Sequence, residues 1–60
     1  MEARKLATQL LSDHAKEGRF NVRIDDKDDL DLIAVRLREM GCKVEVNQIK
    51  RMLDVTPPTH

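Results

Sequence analysis

The sequence has a single cysteine, Cys42, among its 60 residues. One cysteine excludes a disulfide within the chain and a cysteine-rich zinc site, and it is typical of a protein kept in a reducing compartment. No stretch approaches the roughly 20 apolar residues of a membrane-spanning helix. The N-terminal MEARKLATQLL is interrupted by charged and polar residues, which makes a poor signal peptide. We therefore expect a soluble, cytoplasmic protein.

Glycine and aromatic residues are also scarce. Gly18 and Gly41 are the only glycines, so the sequence contains no glycine-rich phosphate-binding loop. Trp and Tyr are absent, and Phe20 is the only phenylalanine. Sheets that bind RNA present aromatic side chains on which bases stack, and the alternation around Phe20 predicts that its ring points inward.

Charge is balanced in total but unevenly placed. The chain has 11 basic and 11 acidic residues. The run DDKDDLD at 25–31 holds five aspartates and one lysine, so ten basic and six acidic residues remain elsewhere. Such a dipolar surface can orient association with a charged partner. It lacks the strong basic excess expected of a dedicated nucleic-acid-binding protein.

The segment from Phe20 to Asn47 has the pattern of a strand, a helix and a second strand. Apolar and polar residues alternate in FNVRI and again in CKVEVN, as in strands with one buried face. Between them, apolar residues recur at helical spacing, at Leu30, Ile33, Ala34, Leu37 and Met40. Two strands joined by a helix in one sheet should run parallel, or be separated by an inserted strand, with a right-handed crossover.

The predicted central helix has clear signals at both ends. The Asp26 side chain can cap it by accepting a hydrogen bond from the backbone N–H of Asp29. Carboxylates at Asp28, Asp29 and Asp31 are predicted in its first turn, where the helix dipole favours them. Gly41 follows the last apolar residue of the pattern and suits a left-handed conformation at the C-terminus.

Two flanking segments complete the predicted fold. Residues 3–17 place apolar side chains on one helical face and stop at Gly18. Residues 48–55 form either a short helix or a third, antiparallel strand from Ile49 to Val55 after a turn at Asn47-Gln48. We favour the strand because a two-stranded sheet is marginal alone. The prediction is an α+β fold in the order α-β-α-β with a short third strand, one domain over 1–56 and a flexible tail over 57–60.

The shortness of the chain favours self-association. A domain of this size buries only about 60% of the surface that its unfolded chain exposes. Small domains without disulfides or metals often gain stability from a partner chain. Leu32 and Val35 point away from the predicted core side of the central helix, so the first helix or a second copy could cover them. We predict a homodimer that associates through Leu32 and Val35.

The aspartate run is the most prominent candidate site. Carboxylates at a strand-to-helix corner could bind Mg²⁺ or Ca²⁺, but the glycine and glutamate of an EF-hand loop are missing. Helix capping and the helix dipole explain the run without a ligand, and we predict neither a metal nor a cofactor. For an interaction with another protein, the predicted contact residues are Asp25, Asp26, Asp28 and Asp29, which would occupy a basic cleft of the partner.

Catalytic groupings are not visible. His14 lies on the apolar stripe of the first helix, and Ser12, two residues earlier, faces elsewhere. Cys42 falls on the inward face of the second predicted strand and fits a small apolar role. The sequence therefore predicts a non-enzymatic protein-interaction module that binds and modulates another protein. The alternative is a nucleic-acid-binding regulator that uses a basic sheet face built from Arg23, Lys43, Lys50 and Arg51.

Overall fold

The computed structural model of the chain describes residues 2–14 and 16–58. The elements follow the order α1 (Ala3–Asp13), β1 (Phe20–Arg23), α2 (Lys27–Glu39), β2 (Lys43–Asn47) and β3 (Met52–Thr56). This confirms the predicted α+β fold and element order, with a third strand rather than a helical turn after β2.

The three strands form one sheet in the order β1-β3-β2, and β3 runs antiparallel to both neighbours. β1 and β2 are therefore parallel and separated by an inserted strand, the second of the two arrangements that the helical connection allowed. The register gives two inward rows that cross the whole sheet, Phe20–Val55–Val44 and Val22–Leu53–Val46.

The core lies between one face of the sheet and the helices. α2 packs on β2 and β3, and α1 packs beside α2. The largest side chains with no appreciable exposure are Leu30, Ile33, Leu37, Leu53 and Val55. α1 contributes the buried Ala3 and Ala7, whose small side chains let it lie close to the core. The opposite face of the sheet is open to solvent, as its exposed Asn21, Lys43 and Glu45 show.

Both ends of α2 have the predicted caps. The backbone N–H of Asp29 donates to Asp26 Oδ1 over 3.0 Å. Gly41 has a φ of 93°, in the region that favours glycine. One detail was wrong: Asp28 and Asp29 lie in the first turn, but Asp31 lies beyond it. Its carboxylate instead accepts a hydrogen bond of 2.8 Å from Gln48 Nε2 in the turn after β2.

α1 is shorter than predicted, because it ends at Asp13 instead of residue 17. The imidazole of His14, the C-cap residue, stacks on the ring of Phe20 with centroids 4.4 Å apart and planes 8° from parallel. This contact holds the end of α1 beside the first residue of β1. The chain therefore reverses direction between Asp13 and Phe20, and the helix ends before residue 17. Gly18, with a φ of 74°, lies in the connection and not at the helix end.

β3 also starts later than predicted, at Met52 and not at Ile49. Residues 48–51 form a four-residue turn between the paired Asn47 and Met52. The turn is closed by Asn47 Oδ1, which accepts the N–H of Lys50 over 3.0 Å. Arg51 takes a φ of 55°, a conformation unusual for a residue other than glycine. Of the predicted tail, Thr59 and His60 lie outside the described residues.

Candidate interaction surface

α2 presents four residues on the side opposite the core, here called the outer face of α2. Its buried residues, Leu30, Ile33, Ala34 and Leu37, fall on one side of the helix. At about 100° per residue, the opposite arc of roughly 60° contains Asp28, Leu32, Val35 and Glu39. Leu32 is 42% exposed and Val35 46% exposed. α1 packs beside α2 without covering them, so the outer face has an apolar centre with an acidic residue at each end.

The predicted acidic contact lies at the N-terminal end of this face, but its members have different roles. Asp26 caps the helix, and Asp25 forms an ion pair of 3.2 Å with Arg23. Asp29 is half-buried, whereas Asp28 is exposed. Among residues 2–14 and 16–58, no three Asp, Glu, His or Cys side chains come together as a metal-binding group.

The basic residues of the alternative site are divided between the two ends of the sheet. Ile24 N–H donates to the carbonyl of Arg51 over 2.8 Å, which places Arg51 beside the end of β1 that carries Arg23. Lys50 belongs to the same turn. Lys43 pairs with Thr56 at the opposite end of β2, four residues along β3 from Met52, the partner of Arg23. The register therefore places Arg23, Lys50 and Arg51 toward one end of the sheet and Lys43 at the other end.

Acidic residues interrupt the open face between these basic groups. Asp54 lies directly between Asn21 and Glu45 in the register. Arg19 Nε donates to Asp54 Oδ1 over 2.8 Å, and its Nη2 donates to the other carboxylate oxygen. Hydrogen bonding to Arg19 lowers the pKa of Asp54, and the same bond raises the pKa of Arg19. The open face carries mixed charge and is not a continuous basic patch.

A shallow depression of about 610 Å³ lies where the open face meets the 48–51 turn. Its lining includes Glu45, Asn47, Ile49, Lys50 and Met52. Ile49 is 96% exposed at the tip of the turn. The strand predicted from Ile49 to Val55 concealed this feature, because Ile49 lies in the turn and the strand begins at Met52. The side chain of Asn47, which can close a turn on its own backbone, was the available signal.

His14 and Cys42 both have structural surroundings. His14 stacks on Phe20, and its Nδ1 lies 2.5 Å from Glu17 Oε2. Cys42 is 7% exposed at the start of β2, and burial raises the pKa of its thiol. A raised pKa reduces the thiolate fraction near neutrality, which is the reverse of what an activated nucleophile requires.

No family model, curated protein or solved structure matches this chain. Neither of its described helices has the length and apolar character to cross a membrane. Among the described residues, the large apolar side chains that are exposed within a helix or strand are Leu32 and Val35, on the outer face of α2.

Proposed function

We propose that this chain is a small, non-enzymatic interaction module that binds a partner protein through the outer face of α2 and modulates it. The observation that carries the proposal is the pair Leu32 and Val35, about half exposed on a helix that is otherwise well packed. Apolar side chains on a rigid helix lose little conformational entropy on binding. They are also out of reach of the core, so folding alone does not require them.

Charge indicates the kind of partner. On the outer face of α2, Asp28 lies between the apolar pair and the N-terminal end of the helix. Asp25 and Asp26 are also exposed at that end. The positive end of the helix dipole offsets only part of this negative charge. A partner that presents apolar residues beside lysine or arginine complements both features. Rim charges of this kind mainly accelerate association and select partners.

Self-association is the second part of the proposal. A standard stable interface buries about 800 Å² on each partner. Leu32 and Val35 are too few to supply that area, so in a homodimer through α2 they would form the centre of a larger contact.

Cytoplasmic localisation also belongs to the proposal. The free, buried thiol of Cys42 supports it, because a reducing compartment keeps such a thiol unpaired.

Recovery of partners from an extract of the source cell tests the proposal. Immobilised wild-type chain should retain a defined protein that the double variant Leu32→Ser, Val35→Ser does not retain. Ile49→Ser is the matched control, since it removes an exposed apolar residue from the 48–51 turn. Circular dichroism should show that all three chains are folded. Equal recovery by the wild type and the double variant would show that the outer face of α2 does not bind the partner protein.

A further inference from the structure

The two edges of the sheet differ in how they are protected. At the β2 edge, Arg38 Nη2 donates to the carbonyl of Val44 over 2.9 Å, so a side chain of α2 occupies part of that strand's backbone. Among the described residues, no side chain makes such a bond to the backbone of β1. An open strand edge is a template for another strand, and proteins usually block or use it.

Hydrogen bonding to β3 determines which backbone groups β1 leaves free. Ile24 N–H donates to Arg51 O, one residue beyond the paired Arg23 and Met52. Antiparallel pairs alternate between bonded and non-bonded positions. Ile24, Val22 and Phe20 therefore direct their backbone groups to β3. Asn21 and Arg23 direct theirs outward, to the free edge.

The inward side chains near this edge are incompletely covered. Phe20 is buried under His14, but Val22 and Ile24 are only half-buried. Both pack against the core; Val22 lies on the edge strand β1, and Ile24 directly follows it. A further strand beside β1 would extend the inward face and cover them. Its side chains must be apolar where β1 is apolar.

We propose that β1 pairs with β1 of a second copy, antiparallel and with the two-fold axis at Val22. Asn21 of each copy then lies opposite Arg23 of the other, and these two pairs exchange their outward N–H and C=O groups. On the inward face, Phe20 lies opposite Ile24 of the second copy, and Val22 opposite Val22. The two three-stranded sheets become one sheet of six strands, with the helices on one side.

Charge selects this register over its neighbours. It places Arg19 opposite Asp25 of the second copy, twice by symmetry, which adds an opposite charge beside the contacts that these side chains make within their own chain to Asp54 and Arg23. A two-fold axis at Asn21 would instead place Arg19 opposite Arg23, and an axis at Arg23 would place Arg23 opposite itself. Like charges directly opposite one another destabilise a strand pair, and opposite charges stabilise it. Strand β1 is therefore complementary to itself in backbone direction and in the placement of its apolar side chains, and the residues that flank it are complementary in charge.

This pairing rests on the self-association in the proposed function and assigns it to β1 in place of Leu32 and Val35, which remain available to the partner protein. Asn21→Pro is the direct test, because proline removes an outward N–H and is tolerated on edge strands where the N–H faces solvent. Sedimentation equilibrium should show a wild-type dimer in the micromolar range. Asn21→Pro should weaken the dimer by at least about thirtyfold, because two symmetry-related hydrogen bonds are lost. The Leu32→Ser, Val35→Ser variant should dimerise like the wild type.

Amide hydrogen exchange of the unmodified chain tests the pairing without a substitution, in case the proline variant does not fold. The N–H groups of Asn21 and Arg23 should exchange more slowly as the concentration rises. The N–H of Asp28, in the first turn of α2, should not change. Unchanged exchange at Asn21 and Arg23, or a folded Asn21→Pro variant that still dimerises, would overturn the edge pairing. If only the Leu32→Ser, Val35→Ser variant loses the dimer, the chain does self-associate but the edge pairing is wrong. If the wild type is a monomer, both the self-association and the edge pairing are wrong, and binding to a partner protein is tested separately by the recovery experiment.

Discussion

At the level of single residues, Arg19 offsets a repulsion between two carboxylates that the sheet register places together. The register places the carboxylates of Asp54 and Glu45 directly opposite one another on the open face. Like charges in that position destabilise a strand pair. The bidentate contact of Arg19 with Asp54 supplies the compensating charge, and the nearby Glu45 also raises the pKa of Arg19. Arg19 lies outside the strands, and no local pattern around it predicted this role.

We predict a specific acid dependence for this pair. The pKa of Asp54 is lowered in the folded chain, so its contribution to stability is present above the unfolded pKa, about 4, and is lost as the pH falls through the folded value. Arg19→Gln should return the pKa of Asp54 toward its usual value, as followed by NMR of the carboxyl carbon. The urea midpoints of wild type and variant should differ at pH 7 and converge at low pH. Equal midpoints at pH 7 would show that solvent screens the pair.

At the level of secondary structure, the ends of α2 were predictable because each signal acts locally. A capping aspartate, acidic residues in the first turn and a glycine at the C-terminus act within a few residues of the helix. The 48–51 turn was not predictable to the same degree. Its left-handed residue is Arg51 and not glycine, and Ile49 continues the alternation of β3 although it is 96% exposed. The alternation of apolar and polar residues in the sequence therefore begins before Met52, the first residue of β3 that pairs with another strand.

The cap of α2 allows a matched test within the aspartate run. Asp26→Ala should lower the free energy of unfolding by about 1 kcal/mol, because the N–H of Asp29 loses its acceptor. Asp25→Ala removes the same charge one residue earlier, but it breaks only an exposed ion pair with Arg23 and should have a much smaller effect. Urea denaturation of both variants measures the difference. Equal losses would mean that charge near the helix dipole, and not the capping bond, accounts for the role of Asp26.

At the level of the whole molecule, sequence periodicity identified the elements but left the sheet order open between two arrangements. The sheet order depends on where β3 inserts, and the inward rows Phe20–Val55–Val44 and Val22–Leu53–Val46 are properties of three strands together. The candidate sites were also predictable only where they depend on local spacing and not on the pairing of distant strands. The exposure of Leu32 and Val35 followed from helical spacing, whereas the division of the basic residues followed only from the register.

The mixed charge of the whole open face should prevent it from binding nucleic acid. Binding to phosphates requires several unopposed basic groups, and it weakens steeply with added salt. Here Asp54 and Glu45 lie between the Arg23 end and the Lys43 end, so we expect no retention of the wild type on a mixed DNA or RNA column at about 50 mM salt. The variant Glu45→Gln, Asp54→Asn makes the same face basic and should be retained, which shows that the column can detect such a surface. Retention of the wild type with a steep salt dependence would instead favour the nucleic-acid-binding alternative and direct attention to Arg23, Lys50 and Arg51.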